Sequence, residues 1–266
     1  MRFPLPTGTQ KHSPALPSPH ARPLENGDCL TRDEFERRYQ AMPHGTKAEL
    51  LKGIVHIPSP VWSGRHGEPH ADLMAWLGWY KAATPGVRAS DNTTVRLGLD
   101  SELQPDALLR IATEQGGQSS VDPDDYISGA PELAAEVASS SVTYDLHSKL
   151  EVYCQHGVRE YLAWRVLDRA IDWFVLRGDR YELLEPGSDG IVRSQVFPGL
   201  WLDSEALVAG NGARVIAALQ AGLASPEHAA FIERLQKAGE PVPAPSRNVG
   251  ATQPDPLLPG AHDQPE

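Results

Sequence analysis

Two carboxylates and one amine stand out in this chain of 266 residues. Asp106 opens the apolar run Asp106-Ala107-Leu108-Leu109-Arg110-Ile111, directly after Pro105. Glu136 lies inside Glu132-Leu133-Ala134-Ala135-Glu136-Val137-Ala138, after Pro131. An acid within an apolar strand is costly unless it is paired or bound to a metal. Two carboxylates brought close also repel, which raises the pKa of one. A hard divalent cation relieves both problems, and carboxylate, carbonyl and water ligands suit Mg²⁺. Lys149 is the amine, at the edge of a helical stripe formed by Leu146, Leu150 and Tyr153. From there its ammonium could reach the two acids. The plainer alternative is a surface ion pair, because Asp145 precedes Lys149 by four residues, the favourable order on a helix.

For this chemistry the two acid-bearing strands must be neighbours. Side chains alternate along a strand, so Asp106, Leu108 and Arg110 share one face. Glu132, Ala134, Glu136 and Ala138 share another. A proline at each entry fits, since proline is tolerated at a strand's first position. Upstream, Thr31 with Glu34 predicts a capped helix through Tyr39. Residues 48–58 predict a hairpin turning at Lys52-Gly53. Leu73, Trp76, Leu77 and Tyr80 predict a helix over about 69–83. Strands are predicted at 93–97, 106–111 and 132–138, and a helix over about 143–156 with Thr143 as cap and Gly157 as its stop. Three strands and a closing segment at 197–202 follow, then helices within 211–222 and over 226–238. Helices interrupt the strands irregularly, which argues against a barrel or a dinucleotide-binding sheet. The prediction is a mixed α/β domain with one central sheet.

Composition sets the outer limits. Thirteen of the 24 prolines fall in 1–29 and 241–266, so both ends read as disordered, Pro-rich tails. Between them, 30–210 is expected to form the main domain, with 211–240 as helices packed on it. No run approaches the ~18 apolar residues of a membrane span, and the start lacks a secretory apolar region. Two cysteines cannot build a disulfide framework, and a reducing cytoplasmic setting is the default. The net charge of -11 disfavours a non-specific nucleic-acid coat, although a local groove lined by Arg65, Lys81, Arg88 and Arg96 remains compatible with it.

The ordered set Pro105-Asp106, Glu136-Val137 with Ser139 to Ser141, Lys149, Tyr153 and Gly157-Val158-Arg159-Glu160-Tyr161 resembles the Uma-two family of restriction-endonuclease domains. Glu49-Leu50-Leu51-Lys52-Gly53, the segment from Pro58-Ser59-Pro60 to His70, and Phe197-Pro198-Gly199-Leu200 extend the resemblance over about 45–208. It implies the PD-(D/E)XK nuclease fold, a central mixed sheet flanked by helices. It also implies phosphodiester hydrolysis dependent on Mg²⁺, with Mn²⁺ substituting. Asp106, Glu136 and the Val137 carbonyl would hold the metal. Lys149 would orient water or stabilise charge on phosphorus, and Glu49 would add a water-mediated contact, unless it is an ordinary exposed strand-end acid. Ala138 stands where the wider superfamily carries a lysine, so Lys149 inherits that role. DNA is the expected partner, and a homodimer is expected by analogy. A catalytically inactive nuclease-fold module that binds nucleic acid or a protein is the alternative. A third is an interaction protein whose acidic surface meets a basic partner.

Other motifs are weaker. His66-Gly67-Glu68-Pro69-His70 lacks the helical His-Glu spacing of a metalloprotease and reads as a solvated loop, with His70 a possible substrate contact at the mouth of a cleft. Ser139-Ser140-Ser141 has no nucleophile elbow. Trp76, Trp79, Trp164 and Trp173 read as core before they read as base-stacking platforms.

Overall fold

The computed structural model describes residues 22–43, 45–58, 62–139 and 144–240. Thr31 caps α1 (Arg32–Tyr39) by accepting the Glu34 amide, while the Glu34 carboxylate turns to Arg37 and Arg38 rather than closing a capping box. The hairpin β1 (Glu49–Leu51) and β2 (Ile54–His56) turns at Lys52 and Gly53, both at positive φ. A π-helical turn at Ser63–Gly67 leads into α2 (Glu68–Ala83). There follow β3 (Val87–Asp91), β4 (Val95–Leu97), β5 (Ser101–Leu103), β6 (Ala107–Ile111), β7 (Ser120–Val121), β8 (Ile127–Ser128) and β9 (Leu133–Ala138). A second π-helical turn, Tyr144–Lys149, continues as α3 (Leu150–Gln155). The chain ends in β10 (Glu160–Arg165), β11 (Ala170–Arg177), β12 (Arg180–Leu183), β13 (Ile191–Arg193), β14 (Trp201–Asp203), α4 (Ser204–Val208), α5 (Gly212–Leu223) and α6 (Pro226–Ala238).

The central mixed sheet runs β12-β11-β10-β9-β6-β3, with β9 antiparallel to β6 and parallel to β10. One face packs on α2, α5 and α6 through Leu73, Trp76, Leu77, Leu109, Ala135, Val137, Val215 and Phe231. The other carries Leu108, Ala134, Tyr161 and Ala163 against Val152 and Tyr153 of α3. The predicted alternation along β6 and β9 is therefore present. A second six-stranded sheet, β2-β1-β5-β4-β8-β7, accompanies the central one, and β13 and β14 form a separate ribbon. The six-stranded second sheet contains the predicted hairpin and the predicted strand at 93–97, joined by β5, β7 and β8, which at two or three residues are too short for a period-two pattern to register in sequence.

Part of the expected N-terminal tail packs. Leu24 is buried beside Phe35, Leu50 and Val55, and Cys29 bridges to Ile54. Residues 1–21 and 241–266 of the expected tails, Thr143, and Ser59, Pro60, Ser140 and Ser141 lie outside the described residues. The C-terminal helices bury Val215, Leu219, Phe231 and Leu235 in the main core.

Candidate active site

Register brings the acids together. The antiparallel pairs Ala107↔Ala135 and Leu108↔Ala134 put Asp106 opposite Glu136 when continued by one residue. Opposed residues point to the same face of a sheet. The Asp106 Oδ2 accepts the Val137 backbone N–H at 2.8 Å, so the first acid is tied to the strand that carries the second.

Glu136 is 3 % exposed. Its Oε1 accepts from Lys149 Nζ at 2.8 Å and from the Tyr153 hydroxyl at 3.1 Å. Lys149 Nζ also lies 3.0 Å from Glu49 Oε1 and 4.0 Å from Asp145 Oδ1. The surface ion pair read from the Asp145 spacing is thus a buried cluster, with Lys149 only 4 % exposed. Glu49 is likewise buried, not a solvated strand end. It accepts the Gln104 backbone N–H at 2.8 Å and the Tyr144 hydroxyl at 3.4 Å.

Electrostatics follow from this crowding. Burial pushes the Glu136 carboxyl well above the usual range against the pull of Lys149, and Asp106, Asp145 and Glu49 push the same way. Burial opposes the charge on Lys149, yet Glu136, Glu49 and Asp145 hold its ammonium well above its ordinary value. Three carboxylates thus crowd one ammonium, with Asp106 beside Glu136 as a fourth.

The two histidines do not form a solvated loop. His66, on the first π-helical turn, has Nδ1 3.1 Å from the Val137 carbonyl and Nε2 3.5 Å from Asp106 Oδ1. A carbonyl only accepts, so Nδ1 carries the proton. His70 Nε2 faces the Asp106 carbonyl at 2.9 Å and Asp91 Oδ1 at 3.1 Å. His66 lines the cleft over the acids, and His70 stands behind it against β3 and β6. His66, Tyr144 and His56 escaped the sequence reading as site residues. The only signal for His66 was its place in the segment leading to His70.

The cleft holds about 330 Å³ and is lined by Glu49, Asp106, Glu136, Val137, Asp145 and Lys149, with Ser139, Gln104, Lys47, Asn26, His56, Ile57, Pro58, Trp62, His66 and Tyr144 around them. Arg96 does not supply a groove cation. It is enclosed by Asp122 at 2.6 Å, Asp124 at 2.9 Å, Glu36 at 3.1 Å and Glu102 at 3.5 Å.

The donor chemistry fits a hard divalent cation. Asp106 Oδ1 faces His66 Nε2 at 3.5 Å, a long contact, and Glu136 Oε2 has no hydrogen-bond donor among the described residues. The Val137 carbonyl keeps a second lone pair beside His66. Among the described residues no three Asp, Glu, His or Cys side chains gather as a ready-made cage. Two carboxylates and a carbonyl, completed by water, match Mg²⁺, which keeps several waters and uses one or two protein carboxylates.

No curated protein matches the chain. One solved structure, described as "a putative nuclease belonging to DUF820 from Anabaena variabilis ATCC 29413", is 16 % identical, covers 67 % of this chain and 99 % of its own, and aligns with a TM-score of 0.49. A family model described as "Putative restriction endonuclease" matches residues 32–205, which contain Glu49, Asp106, Glu136 and Lys149. That span is well over half of the sequence, and the chain belongs to the Uma2 family.

Proposed function

We propose that this chain is a divalent-metal-dependent endonuclease that hydrolyses phosphodiester bonds in DNA. One observation carries the reading: Asp106 and Glu136 meet across β6 and β9 with the Lys149 ammonium 2.8 Å from Glu136 at the base of a cleft. Family membership supports a nuclease in general.

Asp106, Glu136 and the Val137 carbonyl would hold Mg²⁺, or Mn²⁺ in its place. When bound, such a cation polarises a phosphoryl oxygen and lowers the pKa of coordinated water. The protein's own groups do the rest. Lys149 places a positive charge where negative charge builds on phosphorus, and this preorganised donor needs no rearrangement during reaction. Glu49 and Tyr153 hold the Lys149–Glu136 pair in place from either side. His66 fixes the Val137 carbonyl. Asp106 is oriented by the Val137 amide.

The test is incubation of purified protein with supercoiled plasmid and with a single-stranded oligonucleotide, in EDTA, Mg²⁺ or Mn²⁺. Cleavage is expected with either metal, and none with EDTA or with Glu136→Gln. Binding without cleavage under every condition would assign the inactive nuclease-fold module instead.

The same reading takes 30–210 as the catalytic domain, with 211–240 as helices supporting it. It includes a homodimer in the cytoplasm. A solution mass equal to the 28.9 kDa of one chain would contradict the dimer. No helix among the described residues is long and apolar enough to cross a membrane.

A further inference from the structure

Trp62 is 52 % exposed and lines the same cleft as Glu136. Single exposed aromatics are ordinary on a protein surface. Trp79, 49 % exposed on α2, is such a case, because it borders none of the site residues. Trp62 differs by its position and its company. The Arg65 guanidinium lies 5.8 Å from its ring centroid. Across the cleft lining, the His56 and Tyr144 rings contact each other with centroids 4.4 Å apart. Lys47 and Asn26 also line the cleft. The Asn26 Oδ1 is spent on the Ile57 backbone N–H at 3.0 Å, and its amide NH₂ donates to nothing among the described residues. The lip of an acidic cleft therefore offers an aromatic face with a guanidinium beside it, a lysine whose ammonium is shared with Asn92 Oδ1, and an amide donor.

We infer that this lip is a subsite for an unpaired nucleobase, with Trp62 as the stacking face, and that the substrate strand enters the site single-stranded. The inference rests on the nucleic-acid reading above and narrows it. Aromatic platforms beside basic groups are how proteins hold single strands, because every base presents a π-face. The cleft's ~330 Å³ is at the lower end of the about 300–1,000 Å³ of small-ligand pockets, the scale of a nucleotide rather than of a duplex segment. The recessed floor points the same way. Asp106 and Glu136 are almost wholly buried, and a flexible strand can bend a phosphate down to them while a base is held outside the stack. The Asn26 amide presents donors only, so it suits the acceptor oxygens and ring nitrogens that all bases carry, which implies little sequence preference.

Binding, measured without cleavage, tests this apart from catalysis. Fluorescence anisotropy in EDTA would compare a labelled single-stranded 20-mer DNA, the same sequence as a duplex, and the matching RNA strand. The single strands should bind more tightly than the duplex. Trp62→Ala should weaken single-strand binding about tenfold while leaving duplex binding and the melting temperature unchanged, and Trp62→Phe should restore most of it. The DNA and RNA arms show which sugar the subsite accepts, and tighter binding of either single strand supports the inference. Equal or tighter duplex binding, or single-strand affinity unmoved by Trp62→Ala, would overturn it. Trp62-dependent binding with no cleavage in any metal would defeat the nuclease reading and leave the subsite standing. Cleavage of duplex that is indifferent to Trp62 would do the reverse.

Discussion

The Asp106 carboxylate accepts the Val137 amide at 2.8 Å, so a side chain from the end of one strand closes the backbone ladder of the next. Asp106 thus has a structural duty besides any catalytic one, and the two can be separated by substitution. Asp106→Asn retains a carbonyl oxygen for the Val137 N–H but loses the charge. Cleavage should vanish with the melting temperature held within a few degrees. Asp106→Ala should lose cleavage and also about 1–3 kcal/mol of stability, because it leaves a buried N–H unpaired. Urea unfolding of the two variants beside plasmid cleavage checks both halves.

Lys149 is the counter-charge for Glu136 and Glu49. Removing one partner of a buried ion pair strands the other charge and costs about 3–5 kcal/mol. Lys149→Met should therefore unfold at markedly lower temperature than wild type. Adding Glu136→Gln to it should recover part of the loss, since the stranded charge is then gone. A double-mutant cycle on melting temperature measures the coupling, and additive effects would contradict the pairing.

The metal prediction is direct. Calorimetric titration with Mn²⁺ should show binding to wild type and to Trp62→Ala, and none to Glu136→Gln. The heat released should depend on the buffer's ionisation enthalpy, because protons leave as the metal binds. The reason is that burial raises the Glu136 pKa and a ligating carboxylate must give up its proton.

Stability should fall as pH rises through neutrality. Burial lifts Glu160 to about 7, against hydrogen bonds donated by the Ser194 hydroxyl and the Gln195 and Val196 amides. Burial and neighbouring Glu36 lift Glu102 to about 7 as well. A carboxyl whose pKa is raised in the folded state holds its proton longer than the unfolded chain does. Its contribution is full below about pH 4.5 and is lost as pH rises through 7, by up to roughly 3 kcal/mol for a shift of this size. Metal-free protein should melt at higher temperature at pH 5.5 than at pH 8, and Glu160→Gln should flatten that slope.

Much of the site was legible because its signals are local. Pro105 and Pro131 mark where β6 and β9 begin, and strict alternation then decides which way Asp106 and Glu136 face. Burial was the part that spacing does not encode. A spacing of four from Asp145 to Lys149 describes a solvated pair and an enclosed one equally well, and packing against β1, whose Glu49 lies 3.0 Å from the Lys149 ammonium, decided the matter. Pro69 hid the histidines for a related reason. It reads as a helix breaker, yet it is accommodated where the wide Ser63–Gly67 turn passes into the first turn of α2. The loop reading of His66 failed with it. Of the second sheet, the hairpin over 48–58 and the strand at 93–97 were legible, whereas strands such as Ser101–Leu103 bury every residue and show no alternation, so their pairing into a sheet was not.

Both segments that overhang the acids, Ser63–Gly67 and Tyr144–Lys149, are wound one residue wider than an ordinary helix. Such wide turns are rare, are intrinsically less favourable than the α form, and cluster where proteins do chemistry. His66 and Lys149 are each aimed by one of them. Deleting a single residue from either turn would therefore yield a more regular helix and swing its functional group away from the acids. In this molecule, local regularity and a working arrangement of side chains are in competition.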